Sequence, residues 1–140
     1  MPSLFPVDVP LERVLERAEN VVSFFSGGKD SLVATHIACK KLCEMNLEEK
    51  FRVVFIDTTT ALEETINYVK NVAGKFGWKL EIIRPPKTYE EYVLKWGFPC
   101  HCYRWCMRTL KIKPLRKYLS GLKRPIVEVL GLRKYESRMR

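Results

Sequence analysis

Short apolar segments alternate along this chain with segments of helical periodicity, and this alternation constrains the fold more than any other feature. Four runs rich in Val, Ile and Phe have the length of buried strands, at residues 21–25, 51–56, 79–83 and 126–130. Strands that alternate with helices predict βαβ units and a parallel sheet, with right-handed crossovers that place helices on both faces. We therefore predict an α/β fold: a three-layer sandwich around a small, Rossmann-like parallel sheet of four to five strands.

Helices are predicted from apolar residues at helical spacing and from local start and stop signals. The predicted helices cover residues 9–20, 30–45, 60–76, 89–96 and 104–119. The third is expected to begin at a capping box formed by Thr60 and Glu63, and to end at Gly77. The fifth is expected to restart at Pro114, a residue that suits the first turn of a helix.

The charge is concentrated at one end of the chain. Residues 1–100 hold 13 basic and 14 acidic side chains, whereas residues 101–140 hold 12 basic and 2 acidic ones, within a formal net charge of +9. This asymmetry predicts an anionic partner, either nucleic acid or a phosphorylated small molecule, and composition does not choose between them. The length of 140 residues suits one domain, which we expect to span residues 1–140.

The most distinctive local pattern follows the first predicted strand and leads into a helix, as Ser26-Gly27-Gly28-Lys29-Asp30-Ser31. Two glycines let the backbone turn sharply and approach a ligand closely. The helix that follows offers free N–H groups and the positive end of its dipole, to which a lysine adds a full charge. The pattern is not a Walker A loop, because Ser23 stands where that loop has its first glycine. We predict a phosphate-binding loop; a plain glycine turn is the alternative.

Four stretches together resemble the phosphoadenosine phosphosulfate (PAPS) reductase family, within the adenine-nucleotide α-hydrolase-like, ATP pyrophosphatase-type superfamily. They are the SGGKDS loop, Asp57-Thr58 with Glu64-Thr65, Arg104-Trp105-Cys106 with Leu110-Lys111 and Pro114-Leu115, and Gly131-Leu132-Arg133 with Glu136-Ser137 and Arg140. These stretches occur in the family's order and span residues 24–140. One position departs from the family's pattern, since Thr59 stands where the family has glycine.

The resemblance implies the fold of that superfamily and a set of site residues. The residues expected to bind the nucleotide and its phosphates or sulfate are Ser26, Gly27, Gly28, Lys29, Asp30, Ser31, Asp57, Thr58, Arg104, Lys111, Gly131, Arg133, Glu136, Ser137 and Arg140. Arginine forks suit phosphate and sulfate oxygens, and the basic end of the chain supplies them. The candidate catalytic residues are Cys106, Lys29 and Arg133.

The family carries its nucleophilic cysteine on a tail beyond the last motif, whereas no cysteine follows Cys106 in these 140 residues. Three functions therefore stay open. The first is a PAPS reductase-like enzyme that binds PAPS, adenosine 5′-phosphosulfate (APS) or ATP and reduces or transfers sulfur. The second is an ATP-dependent sulfurtransferase or adenylating enzyme that acts on nucleic acid with Mg²⁺. The third is a nucleotide-binding module without catalysis.

The cysteines allow several roles. Cys100, His101, Cys102 and Cys106 lie within seven residues, which suits zinc, an iron–sulfur cluster or a redox disulfide, although the spacing matches no familiar metal motif. We consider a zinc or iron–sulfur site the less favoured possibility. Cys39 and Cys43 share a face of the second helix with His36 and Leu32, which favours a packed helix face over a ligand set.

The remaining expectations concern context. No apolar run approaches the length that spans a bilayer, and the N-terminus lacks the features of a secretory signal, so we expect a cytoplasmic protein with reduced cysteines. An adenine nucleotide is the expected small-molecule partner. A thioredoxin-like reductant, nucleic acid and a second copy of the chain are further candidates, the last because a small parallel sheet leaves edges to be covered.

Overall fold

A four-stranded parallel sheet forms the centre of the molecule. The computed structural model describes residues 10–133. The strands are β1 (Asn20–Phe24), β2 (Phe51–Ile56), β3 (Leu80–Ile83) and β4 (Ile126–Val129), in the spatial order β3-β2-β1-β4. Every neighbouring pair is parallel. The predicted α/β class, the parallel sheet and all four strands are confirmed, with bounds that differ by at most one residue.

Five α-helices accompany the strands within the described part of the chain. They are α1 (Leu11–Arg17), α2 (Lys29–Glu44), α3 (Glu63–Phe76), α4 (Tyr89–Trp96) and α5 (Lys113–Ser120). A 3₁₀ turn at Glu48–Lys50 precedes β2, and a π-helical segment at Met107–Ile112 precedes α5. None of the helices in residues 10–133 combines the length and apolarity that crossing a membrane requires.

The two faces of the sheet are covered by different helices, as the three-layer prediction requires. Side chains that alternate along β1 and β2, among them Val21 and Val53, join a buried core with Leu42 of α2 and Val69 of α3. On the opposite face, α5 contacts β3. The chain moves outward from β1 to β2 and β3 and then returns to the far side of β1 as β4. This reversal creates a switch point between the loops that follow β1 and β4, where open α/β sheets bind ligands.

The start of α3 corrects one expectation. The predicted capping box at Thr60 and Glu63 does not form: the helix begins at Glu63, and no side chain caps it. The Thr60 hydroxyl instead hydrogen-bonds the Thr58 hydroxyl at 2.8 Å within the loop after β2. The same T-x-x-E pattern does form a capping box at the start of α4, between Thr88 and Glu91. Gly77 ends α3 in the left-handed conformation, as predicted.

Two helices differ from their predicted extents. Residues 9–20 were expected to form one helix, but α1 ends at Arg17 because Asn20 already pairs in β1. The helix predicted over residues 104–119 is helical from 105 to 120, and it contains the wide π-helical segment. Pro114 lies two residues after the end of that segment. It cannot donate to the carbonyl of residue 110, which leaves an α-helical turn incomplete there.

Candidate functional site

The loop between β1 and α2 has the form of an anion-binding loop. Gly27 is left-handed, with φ of +85°, and Gly28 is the N-cap of α2 with no side chain capping the helix. The Ser31 hydroxyl donates to the Gly28 carbonyl at 2.9 Å and accepts from the Ser26 N–H at 3.2 Å. Lys29 is exposed at the helix start. The serines hold the turn in shape, and no side chain caps the first N–H groups of α2.

Gly131 lies against this loop from the other side of the switch point. A Cβ atom at Gly131 would stand 2.6 Å from the Asp30 carbonyl oxygen and 2.6 Å from the Ser31 nitrogen. Only glycine permits so close an approach between two backbones. The segment after β4 is therefore packed directly on the first turn of α2.

Asp30 and Arg133, which the sequence analysis treats as separate binding residues, form an ion pair with each other. Arg133 Nε and Nη2 both lie 2.9 Å from Asp30 Oδ2. Both side chains are partly exposed, so the pair contributes on the order of 0–1 kcal/mol. Its larger effect is positional, because it links the start of α2 to the segment after β4 and offsets the negative charge of Asp30 beside the loop.

The loop after β2 is held by a buried carboxylate. The Asp57 side chain is 5% exposed, and its Oδ2 accepts from Arg84 Nε at 2.9 Å. Its Oδ1 accepts from the Thr59 N–H at 2.9 Å. Thr59 has φ of +66°, the left-handed region in which a β-branched residue is rare. The chain thus keeps a glycine-like backbone at the position where the resembling family has glycine, and Tyr89 N–H donates to the Thr59 hydroxyl at 2.8 Å.

A cavity of about 320 Å³ opens at the carboxyl ends of β1 and β2. Ser26 of the loop, Thr58 of the loop after β2 and Lys111 of the π-helical segment line it. Phe24, Thr60 and Thr65 line it too, although the predicted site residues do not include them. Phe24 ends β1 and Thr60 follows β2, so both lie at the edge where strand ends of a parallel sheet meet, whereas Thr65 lies in the first turn of α3. The cavity combines apolar walls with hydroxyl groups and one ammonium group.

A second cavity, of about 490 Å³, adjoins the carboxyl ends of β2 and β3. Asp57, Thr59, Arg84 and Lys87 are among its lining residues. Arg84 lies directly after β3 and is a charged group of this edge that the predicted site residues do not include.

Two predicted site residues lie elsewhere. Arg104 lines one cavity, together with Trp96 and Arg108, whereas Lys111 lines another. Cys106 is half-buried and packs against Tyr92, Trp105 and Leu110. Predicted residues Glu136, Ser137 and Arg140 lie outside the described residues.

The cysteines do not assemble into a metal site in residues 10–133, where no three Cys, His, Asp or Glu side chains converge as one would require. Cys100 and Cys102 are exposed, and all five thiols are free. Cys39 packs against the core, as the packed-face interpretation predicts, and Cys43 is exposed. Burial and, second, the neighbouring Cys43 raise the pKa of the Cys39 thiol, which keeps it protonated and unreactive.

Comparison with curated proteins shows several relatives. An uncharacterized protein of Methanocaldococcus jannaschii is 40% identical over 113 residues, which are 81% of this chain and 26% of that protein. A second from the same organism is 37% identical over 118 residues, 84% of this chain and 23% of that protein. Adenosine 5′-phosphosulfate reductase 2 of Bacillus subtilis is 26% identical over 122 residues, 85% of this chain and 48% of that protein. The chain thus spans from about a quarter to about half the length of these relatives.

Two solved structures share the fold. The PAPS reductase of Candida auris, solved as a phosphate complex, superposes with a TM-score of 0.61 at 21% identity and covers 89% of this chain and 59% of that one. The NH₃-dependent NAD synthetase of Campylobacter jejuni superposes with a TM-score of 0.53 at 16% identity and covers 82% and 49%. Both likenesses support the predicted Rossmann-like architecture.

The model of the phosphoadenosine phosphosulfate reductase domain matches residues 20–140, most of the chain. The matched residues include the loop after β1, the residues that line the cavity at the carboxyl ends of β1 and β2, and Gly131, which packs against α2. The chain belongs to the phosphoadenosine phosphosulfate reductase domain family.

Proposed function

We propose that this domain binds an adenylyl nucleotide, with the phosphates at the loop of residues 26–31 and the nucleoside in the cavity at the ends of β1 and β2. One observation carries the proposal: Ser26 belongs both to the loop and to the cavity lining, and Lys111 lines the same cavity. An anion-binding turn therefore adjoins a space with apolar walls. Its volume of about 320 Å³ falls at the lower end of the range of small-molecule sites.

The charges of the site favour a phosphorylated ligand. The first N–H groups of α2 lack a capping side chain, and the helix dipole attracts an anion there. Lys29 and Lys111 add two ammonium groups, one at the helix start and one in the cavity. The carboxylate of Asp30 is offset by Arg133. These features suit the phosphate chain of PAPS, APS or ATP.

We further propose that the bound nucleotide is a phosphosulfate and that the domain takes part in reduction or transfer at its sulfur. Family membership and the relative named APS reductase support this choice. Lys29 and Arg133 are the proposed charge-stabilising residues, and Cys106 is the proposed thiol. Cys106 stands among aromatic side chains, so its part in the reaction needs a separate test.

Calorimetric titration with PAPS, APS, ATP and AMP tests the binding step. Tighter binding of PAPS or APS than of ATP, with sulfite release in the presence of dithiothreitol or thioredoxin, supports the phosphosulfate proposal. Conversion of ATP to AMP and pyrophosphate with Mg²⁺, without sulfite, would support the adenylating alternative instead. Failure of all four nucleotides to bind would contradict the proposed site.

Substitution of Lys29 tests the loop. We expect Lys29→Ala to weaken the binding of each nucleotide by about tenfold to hundredfold, because one hydrogen bond to a charged group is lost. Lys40→Ala is the matched control, since Lys40 is exposed further along the same helix. Equal affinity in the Lys29→Ala variant and the control would show that the phosphates bind elsewhere.

Substitution of Cys106 tests the thiol. If Cys106 is the nucleophile, Cys106→Ser abolishes sulfite release while nucleotide affinity stays the same. The double variant Cys100→Ser/Cys102→Ser is the control, because these two exposed thiols lie close to Cys106 in the chain. Sulfite release that survives in Cys106→Ser would remove this residue from the reaction.

A further inference from the structure

One part of the chain carries positive charge that the nucleotide site does not use. Between residues 92 and 127 there are nine Lys and Arg residues and no Asp or Glu. None of these nine forms an ion pair with any residue in the described range. Only Lys111 lines the cavity proposed for the nucleoside. The other eight charges therefore call for another explanation.

Several of these charges line a groove formed by two adjoining cavities, of about 690 and 470 Å³, which share Trp96, Thr109 and Lys113. We call this surface the basic groove. The cations on its walls are Arg84, Arg104, Arg108, Lys113 and Lys117. Within residues 10–133, no carboxylate lines either cavity, and of the five cations only Arg84 has an ion-pair partner, Asp57. None of the lining residues is shared with the nucleoside cavity.

Aromatic side chains lie between these cations. The Tyr103 side chain is 58% exposed, lines the groove and makes no ring contact within residues 10–133. Trp96 is 39% exposed and belongs to both cavities. Trp96 stacks on Tyr92, with ring centroids 5.0 Å apart, and Lys95 Nζ lies 5.6 Å from the centroid of the Trp96 ring. The groove therefore combines two partly exposed rings with four cations that form no ion pair within residues 10–133.

We propose that the basic groove binds single-stranded nucleic acid. Unstacked bases lie on aromatic faces, and the phosphates between them are neutralised by Lys and Arg side chains. A duplex keeps its bases stacked inside and cannot place them on Tyr103 or in the concave space beside Trp96. An acidic protein would satisfy the cations but would leave the exposed rings without flat partners. RNA and single-stranded DNA share the required chemistry, and direct measurement distinguishes them.

Fluorescence anisotropy with labelled oligonucleotides of about 12 nucleotides tests the proposal, using oligouridylate, oligothymidylate and a duplex of equal length. We expect either single strand to bind at least about tenfold more tightly than the duplex. Binding should weaken by about tenfold or more between about 50 and about 200 mM salt, as expected when roughly three phosphates are neutralised. Equal affinity for duplex and single strand, or displacement by polyglutamate as effective as displacement by unlabelled oligonucleotide, would overturn the proposal.

Variants separate groove binding from general charge attraction. Arg108→Ala/Lys113→Ala removes two charges from the groove, whereas Lys70→Ala/Lys75→Ala removes two exposed charges from α3, which covers the other face of the sheet. We expect the first pair to lower affinity by at least about tenfold and the second by less than about twofold. Equal losses in the two double variants would overturn the groove assignment.

The Tyr103 ring is tested in the same way. Tyr103→Ala should weaken binding by about fivefold to hundredfold through lost base stacking, and Tyr103→Phe should retain it. An unchanged affinity in Tyr103→Ala would contradict the stacking role. Lys29→Ala should bind the oligonucleotide with the same affinity as the wild type. The proposal for the groove and the proposal for the nucleotide site are therefore tested independently.

Discussion

Gly131 shows how one residue shapes the proposed site. Its backbone lies on the first turn of α2, where any Cβ atom would stand 2.6 Å from backbone atoms of Asp30 and Ser31. Neither neighbour is a flexible side-chain end that could move aside. A substitution here must separate β4 from α2 at the point where the phosphates are proposed to bind.

We expect Gly131→Ala to destabilise the protein by about 1–3 kcal/mol, because backbone segments must shift to admit the methyl group. Nucleotide affinity should fall as well, since the loop is displaced. Gly74→Ala is the matched control: its Cβ would meet nothing within 4 Å inside α3, so it should stabilise by about 0.5–1 kcal/mol. Urea denaturation measures both, and a Gly131→Ala variant as stable as the wild type would contradict the packing argument.

Thr59 has a left-handed backbone conformation at a position where the resembling family has glycine. Its left-handed φ of +66° costs on the order of 1–2 kcal/mol for a residue with a Cβ atom. Two hydrogen bonds offset that cost, one from its own N–H to Asp57 and one from Tyr89 N–H to its hydroxyl. The hydroxyl thus connects the loop after β2 to the start of α4, a link that glycine lacks.

At the scale of elements, α5 buries a polar group against the sheet. The Tyr118 hydroxyl is buried and makes no hydrogen bond of good geometry within residues 10–133, although the Glu81 carboxylate of β3 lies nearby. Burial first, and Glu81 second, raise the pKa of Tyr118 to about 12. The neutral phenol is therefore favoured in the folded state.

This arrangement predicts a pH dependence. The folded pKa of about 12 lies above the ordinary value of 10.0, so the folded state holds the proton more tightly. The associated stability is fully present below pH 10 and is lost as the pH rises from 10 to 12. We expect Tyr118→Phe to be at least as stable as the wild type at neutral pH, because an unpaired buried hydroxyl is removed.

The variant should also lose less stability than the wild type between pH 10 and 12. Urea midpoints measured at several pH values provide the test. Parallel pH profiles for the two proteins would contradict the raised pKa of Tyr118.

At the scale of the whole molecule, the nucleotide is proposed to hold together segments that are distant in sequence. The loop after β1, the π-helical segment with Lys111 and the segment after β4 meet only in the fold. A ligand that binds the folded state alone, at about 100 times its Kd, adds about 2.7 kcal/mol of stability. We expect PAPS, APS or ATP at that excess to raise Tm by about 5–10 °C.

Differential scanning fluorimetry checks this expectation. Lys29→Ala at the same nucleotide concentration should show a clearly smaller rise in Tm. An equal rise in variant and wild type would mean that the nucleotide stabilises the protein through a different site.

The distribution of positive side chains over the surface is also set by the whole fold. Sequence reasoning assigned Arg104 and Lys111 to one anion pocket. In the structure Lys111 lines the cavity that we propose for the nucleoside, while Arg104 lines the basic groove. Two charges that the sequence prediction placed together thus line different cavities.

The sequence by itself determined the strands, the parallel sheet, the glycine turn that leads into α2 and the family, because these depend on local periodicity, glycine positions and short motifs. Tertiary structure decided the rest. T-x-x-E forms a capping box at Thr88 but not at Thr60, because the loop after β2 uses Thr60 elsewhere. Asp30 pairs with Arg133 because parallel strands bring their carboxyl ends to one edge. Contacts between residues about a hundred positions apart depend on chain crossings, which no local pattern encodes.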